Sequence, residues 1–380
     1  MLLVTALIGL TGCGQAAPPP TAPTPAPASP APEPVDPVAA WVDGRMAEMT
    51  LEQKAASLLM LHAPGTDVAP LRAFVDAGVA GVILMGDNIP AGPDQLTAMT
   101  EALQADPEAA TLVGVDQEGG IVRRIGWDPA PSPAELRGAP PEAAREAFAT
   151  RGGVLEASGV NVNFGIVADV TADPASFIAD RVLGADAQSA ADRVAAAVAG
   201  ERGLVASTVK HFPGHGAAPG DSHSSVPVAP LGLDEWSSTT APPFAAAIDA
   251  GAELVMTGHL VYPAVDAAPA SLSPEWHRIL REELGFEGVV VTDDMLMLQA
   301  NGLPEYADPG ENAVRAVAAG ADLLLYVLPA DPSEFGISVE GLSSSIVAAV
   351  QSGRVSEERL DDAVARVLEL RRETIVGIGE

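Results

Sequence analysis

From Val38 to the end, the chain repeats one pattern eight times: a short apolar run of strand length, then an Ala-rich stretch with helical spacing. The runs are Ala56–Leu61, Val79–Leu84, Thr111–Val115, Val160–Ile166, Leu204–Val209, Glu253–Thr257, Gly288–Thr292 and Asp322–Val327. Most are rich in Val, Ile and Leu without clean alternation, as expected of strands buried on both faces. Helical stretches lie between them, at Leu71–Ala77, Asp94–Ala105, Pro141–Ser158, Ala185–Arg202, Pro243–Ala250, Pro274–Leu284 and Glu311–Ala319. Gly78, Gly159, Gly203, Gly251, Gly285 and Gly320 stand where helices should close before the next strand. Eight strands alternating with helices predict an α/β fold, a (β/α)8 TIM-type barrel, as one domain over 38–380. An open doubly wound sheet is the alternative. No G-x-G-x-x-G follows the first run, which argues against a dinucleotide-binding version of it.

Composition changes before Val38. Residues 1–13, MLLVTALIGLTGC, are apolar but too few to span a bilayer, which takes about 20 residues. They read as the apolar region of an export signal. Leu10-Thr11-Gly12-Cys13 resembles the bacterial lipobox, in which the cysteine carries a lipid, although no Lys or Arg precedes the run. Residues 14–37 are dense in proline and without apolar periodicity, which predicts an extended tether. The expected arrangement is an exported protein, lipid-anchored through Cys13 to the outer face of the cell membrane, extracellular or periplasmic. Cys13 is the single cysteine, which excludes an intrachain disulfide framework and a Cys-based zinc site. With 20 Lys and Arg against 51 Asp and Glu, the net charge of -31 repels phosphate backbones, so no nucleic-acid partner is expected.

Barrel chemistry belongs at the C-terminal ends of the strands, and the unusual polar residues gather there. Asp116 follows the third run and Asp169 lies just beyond the fourth. Lys210 and His211 end the fifth, His259 follows the sixth, and Asp293 and Asp294 follow the seventh. A carboxylate after a strand is often a helix N-cap, and that reading is taken for Asp169 and Asp294. His62 and His277 are read as surface or packing residues. The stretch Lys210-His211-Phe212-Pro213-Gly214-His215-Gly216 continues through glycine and proline to Asp221-Ser222-His223. Gly and Pro at this density make a bent loop, which can carry His223 over the barrel mouth. Asp221, two residues earlier, can accept from the imidazole, fix its tautomer and support proton transfer near neutral pH.

These motifs resemble glycoside hydrolase family 3, in its single-domain β-N-acetylhexosaminidase branch. The resemblance runs from Met49-Thr50-Leu51-Glu52-Gln53-Lys54 to near the C-terminus. It is carried by Asp116-Gln117-Glu118-Gly119-Gly120, Val160-Asn161-Val162-Asn163-Phe164, the Lys210–Gly216 stretch, Asp221-Ser222-His223, Val255-Met256-Thr257-Gly258-His259, and Leu284–Val289 leading into Thr292-Asp293-Asp294-Met295. It implies a retaining exo-β-N-acetylglucosaminidase that removes terminal non-reducing N-acetylglucosamine. By resemblance, Asp293 is the nucleophile that forms a covalent glycosyl-enzyme, and His223 is the general acid/base with Asp221 as its dyad partner. Asp116, Arg124, Arg181, Lys210 and His211 match sugar-binding positions. The family habit and the lipoprotein setting favour peptidoglycan fragments as the source of the sugar. No cofactor or metal is implied, and a monomer is expected. Three positions depart from the family pattern on the leaving-group side: Ile121 in place of Arg, Val182-Leu183 after Arg181, and Ala217-Ala218 after the His-Gly corner. A phosphorylase that transfers the sugar to phosphate is the main alternative. A metal-dependent amidohydrolase barrel is disfavoured, since the chain has no His-x-His. A non-catalytic sugar-binding surface protein is disfavoured because Asp293, Asp221 and His223 are all present.

Overall fold

The structure, a computed structural model, describes residues 2–17 and 36–376. The chain divides into two compact units, Met1–Asp36 and Pro37–Glu380. Residues 2–17 form no helix or strand, and their Leu, Ile and Val side chains and Cys13 are exposed. The proline-rich run at 18–35, expected as a tether, lies outside the described residues. Among the described residues no helix is long and apolar enough to cross a membrane.

The second unit is an eight-stranded parallel barrel. Its strands are β1 (Leu59–Leu61), β2 (Gly81–Leu84), β3 (Leu112–Val115), β4 (Val162–Val167), β5 (Ala206–Phe212), β6 (Leu254–Thr257), β7 (Val289–Thr292) and β8 (Leu324–Tyr326). Each overlaps one of the eight runs, and every residue in them is buried. Neighbours pair in parallel, with Met60 opposite Gly81, Gly81 opposite Leu112, Gly114 opposite Val162, Val162 opposite Ala206, Thr208 opposite Leu254 and Leu254 opposite Val289. β8 returns to β1 with Leu324 opposite Leu59. The last seam is thinner. A single bridge, Val291 to Leu323, joins β7 to β8, with Thr292 N–H donating to Leu323 O at 3.0 Å and Asp322 N–H to Val290 O at 2.8 Å.

Local sequence explains the geometry. The six helix-closing glycines all have positive φ, from 69° at Gly285 to 127° at Gly320. Gly114 is required by close approach: a Cβ there would lie 2.5 Å from the Phe164 ring of β4. Asn161 stitches β4 to β3, accepting from Val113 N–H (2.7 Å) and donating to Thr111 O (3.0 Å). At the N-terminal end of β8 the fully buried Asp322 carboxylate accepts from Val290 N–H at 2.9 Å and pairs with Arg281, Arg359 and Arg366, which clamps the thin seam.

The structure differs from expectation in several places. Ala56 ends a helix, Leu51–Ala56, rather than beginning a strand. Thr50 caps that helix reciprocally with Gln53, so a local capping box overrides the apolar reading of the run. Helices at Pro37–Ala47, Val339–Gln351 and Glu357–Val376 extend the architecture beyond the expected elements. The last buries Leu360, Val364, Val367 and Leu368 in the same cluster as Leu59 and Leu324. A small antiparallel hairpin, Gln117–Gly119 with Val122–Arg123, stands after β3 and lies outside the barrel sheet.

Candidate active site

Parallel strands in a closed barrel deliver their C-terminal ends to one mouth. Asp116 follows β3, Asp169 follows β4, Lys210 and His211 lie at the C-terminal end of β5, His259 follows β6 and Asp293 follows β7. Of these, Asp116, Lys210, His211 and Asp293 line a cavity of about 250 Å³, together with Arg124, Arg181 and His223 among others. That is small beside the ~300–1,000 Å³ of ordinary ligand pockets, and suits one monosaccharide unit. A larger hollow of about 670 Å³ opens at the other end of the barrel beside Val79 and Thr111. Two of its arginines, Arg45 and Arg72, are already paired with Asp106 and Asp76.

One wall of the cavity is ionic. Lys210 Nζ lies 2.7 Å from Asp116 Oδ1 and 2.7 Å from Glu118 Oε1. Arg181 grips Glu118 with both arms, Nε to Oε2 and Nη2 to Oε1, each at 2.8 Å. Burial alone would raise the Glu118 carboxyl; the Lys210 and Arg181 charges outweigh it and hold it at about 2. Glu118 is absent from the expected site, yet it fixes two of the expected residues. Its position two residues after Asp116, in strand periodicity, was the available signal.

The hairpin positions Arg124. Gln117 Oε1 accepts from the backbone N–H of Arg124 (3.0 Å) and Ile125 (2.9 Å), while its Nε2 donates to Ile125 O and to Asp128. Asp128 is held in turn by the buried Arg151. Arg124 Nη2 stands 3.9 Å from Asp116 Oδ2, and its buried Nε has no protein partner.

Asp169 corrects the sequence reading. Rather than capping a helix, its buried carboxylate accepts from His211 Nδ1 at 2.7 Å and from the backbone N–H of His215 at 2.5 Å. Arg181 Nη2 lies 3.3 Å from His211 Nε2. Arginine can only donate, so Nε2 accepts and the His211 proton sits on Nδ1. Burial raises Asp169 above the usual carboxylate range and, with the Arg181 charge, lowers His211 well below its ordinary value. His211 is therefore a neutral imidazole.

Asp293 is half-buried at the mouth. Its Oδ1 accepts the Asp294 N–H at 2.8 Å, which leaves Oδ2 for chemistry. Burial pushes its carboxyl up, but the Asp294 N–H and the Lys210 charge help to hold it below the ordinary range, as an anion. His259 braces this turn, its Nε2 donating to Asp294 O (2.9 Å) and its Nδ1 accepting from the Ser271 hydroxyl (2.6 Å). Asp294 serves the backbone, accepting from Leu296 N–H at the start of the next helix and from Val327 N–H. Burial raises it to about 7.

His223 comes from the long loop after β5. Its Nδ1 lies 2.6 Å from Asp221 Oδ1, and Asp221 also accepts the His223 backbone N–H at 3.0 Å. Asp221 is held below the usual carboxylate range: its small burial penalty is outweighed by these bonds. The ring is 68% exposed, with Nε2 left for proton transfer. The root of the loop is rigid. A Cβ on Gly216 would lie 2.1 Å from Val170 O, and the Pro213 and Gly214 carbonyls accept from the Trp236 indole (2.8 Å) and the Tyr262 hydroxyl (2.6 Å). Of the departures noted in sequence, Ile121 is 67% exposed on the hairpin turn, whereas Val182, Leu183 and Ala218 are buried. His62 and His277 are buried packing residues, bonded to the Leu328 and Ser273 carbonyls. Among the described residues no group of three or more His, Cys, Asp or Glu is placed to hold a metal ion.

Residues 50–370 match the model of the glycosyl hydrolase family 3 N terminal domain. A β-hexosaminidase of Thiobacillus denitrificans is 37% identical over 282 residues, covering 70% of this chain and 77% of that protein. Another, of Methylobacillus flagellatus, is 33% identical over 286 residues, covering 70% and 79%. A family 3 β-N-acetylglucosaminidase structure from Paenibacillus sp. FPU-7 superposes with a TM-score of 0.78 at 36% identity, covering 86% of this chain but only 63% of that one. A β-N-acetylhexosaminidase structure from Beutenbergia cavernae gives 0.75 at 32% identity, covering 85% and 98%. With the closed parallel barrel and the acidic, basic and imidazole groups at its mouth, these likenesses establish that the chain belongs to glycosyl hydrolase family 3, in the branch of its β-hexosaminidase relatives, and is a glycoside hydrolase.

Proposed function

We propose that the protein is a retaining exo-β-N-acetylglucosaminidase that releases terminal non-reducing N-acetylglucosamine. The observation that carries this is the half-buried, anionic Asp293 in a one-sugar cavity whose rim bears the His223–Asp221 pair. The ionic wall of Asp116, Arg124, Lys210 and Arg181, with the neutral His211, takes the sugar hydroxyls through charge-assisted bonds. Asp293 Oδ2 attacks the anomeric carbon. The bond to the leaving oxygen breaks, and that oxygen takes the proton from His223 Nε2. The neutral imidazole then removes a proton from water, which attacks the anomeric carbon and frees the Asp293 carboxylate. Two displacements retain the β configuration. Asp221 accepts the Nδ1 proton throughout, which keeps Nε2 as the transferring nitrogen.

The test compares aryl N-acetyl-β-glucosaminide with aryl β-glucoside, with and without inorganic phosphate. Preferential cleavage of the first, giving the free sugar, is expected. A phosphorylated sugar as the main product would make the enzyme a phosphorylase.

We further propose that Cys13 carries a lipid that anchors the protein to the outer face of the membrane, with peptidoglycan fragments as the source of substrate. The Leu10-Thr11-Gly12-Cys13 sequence and the exposed cysteine support this. Cys13→Ser should move the protein out of the membrane fraction with full activity. Wild-type protein found unlipidated in its own cell would refute the anchor.

A further inference from the structure

His215 lines the cavity, yet nothing in the mechanism above uses it. It is 1% exposed, and neither ring nitrogen has a protein partner. The other histidines at the mouth are engaged: His211 by Asp169 and Arg181, His259 by Ser271 and Asp294, and His223 by Asp221. The His215 backbone is fixed by its N–H to Asp169, and the Phe177 ring meets the imidazole edge to face, with centroids 4.5 Å apart. The His211 ring centroid is 6.0 Å away. Leaving buried polar nitrogens unpaired is costly. A rigidly held, unpaired imidazole in a substrate cavity is therefore arranged for something that enters it.

Its surroundings indicate which part of the sugar that is. Asp169, Asp293 and Arg181 are the charged groups within electrostatic reach of the ring, and Asp221 of the dyad feels it as well. His215 thus lines the same cavity as Asp293 and His223, where the proposed mechanism places the anomeric carbon and its C2 neighbour. The ionic wall stands on Asp116, Arg124, Lys210 and Arg181, and it suits hydroxyls. Burial lowers the His215 imidazole below its ordinary value and keeps it neutral at pH 7. A neutral imidazole offers one N–H and one acceptor nitrogen. A secondary amide offers the complementary carbonyl and N–H, and its methyl group has the apolar Phe177 ring at hand.

We infer that His215, backed by Phe177, recognises the acetamido group at C2 of the bound sugar and sets the preference for N-acetylglucosamine over glucose. The inference rests on the proposed activity and adds the residue that selects its substrate. It is tested by measuring the dissociation constants of N-acetylglucosamine and glucose, together with thermal midpoints, for wild type, His215→Phe and His215→Ala. His215→Phe keeps a ring against Phe177 and removes both nitrogens. It should weaken N-acetylglucosamine binding about 10- to 100-fold and leave glucose binding unchanged. Its ligand-free midpoint should not fall, because no protein hydrogen bond is lost. His215→Ala should shift the ratio of the two constants in the same direction. A ratio equal to that of wild type in both variants, whatever the midpoints, overturns the inference. Failure of the underlying activity is recognised separately, in wild type alone: equal binding of the two sugars there would remove the preference that His215 is proposed to set.

Discussion

Glu118 has a side chain fully buried between Lys210 and Arg181, so removing it strands two cations. Truncating one partner of a buried pair costs about 3–5 kcal/mol. Glu118→Ala should lose stability on that scale in urea unfolding and also weaken sugar binding; wild-type stability would mean that Asp116 alone balances both cations. Asp293→Ala should lose nearly all turnover. Azide should restore part of it, by attacking the anomeric carbon directly and giving the α-configured sugar azide. Full activity in this variant would place the nucleophile elsewhere. Asp116, Lys210, His211 and Asp293 were conspicuous as charge at the end of a buried run, whereas Arg124 and Arg181 were picked out only by the family resemblance. Asp169 was misread because two local and long-range roles compete for a carboxylate after a strand. Its real partner, His211, is 42 residues away, and nothing local distinguishes such a bond from a helix cap.

In the proposed mechanism, the loop after β5 is the element on which proton transfer depends. Its root rests on a cluster in which Phe212, Trp236, Tyr262 and Trp276 meet at steep angles with centroids 4.9–6.1 Å apart. Tyr262→Phe removes the hydroxyl that holds the Gly214 carbonyl. It should cost about 1 kcal/mol of stability. It should also lower kcat more than it raises KM, most clearly on poor leaving groups, which need the proton most. A uniform loss across leaving groups would separate this anchor from the acid/base. The strands were legible as elements because runs buried on both faces lose the polar alternation of other strands. The hairpin after β3 was not, because it is two and three residues long and is shaped by the side chain of Gln117. The Glu357–Val376 helix does carry apolar residues at Leu360, Val364, Val367 and Leu368, so its signal was present in the sequence.

Across the whole molecule, the candidate site occupies one end of the barrel and the Asp322 clamp the other. Asp322→Ala would leave Arg281, Arg359 and Arg366 around a vacated site at the β7–β8 seam. It should cut stability by about 3–5 kcal/mol while KM stays near wild type, because the seam clamp is remote from the mouth. A large KM change with little loss of stability would contradict that division. Behind the strands, Glu201 accepts from Asn163 and Ser207, and burial raises its carboxyl from 4.5 to about 8. A carboxyl that holds its proton more tightly when folded contributes stability below about pH 4.5, and that contribution is lost as pH rises toward 8. Glu201→Gln lacks this titration. Its stability relative to wild type should therefore be higher at pH 8 than at pH 5, and a pH-independent difference would show that Glu201 is not protonated in the fold.

The proposed turnover is a two-step displacement with Asp293 as nucleophile and His223 as acid/base. It is tested most directly by mixing His223→Ala with a dinitrophenyl N-acetyl-β-glucosaminide. That leaving group departs without a proton, while release of the sugar still needs the missing base. A rapid burst of dinitrophenol is expected, then slow turnover, and a protein mass raised by one N-acetylglucosaminyl unit that peptide mapping places on Asp293. No burst, no trapped sugar, or a sugar attached to another residue would contradict it.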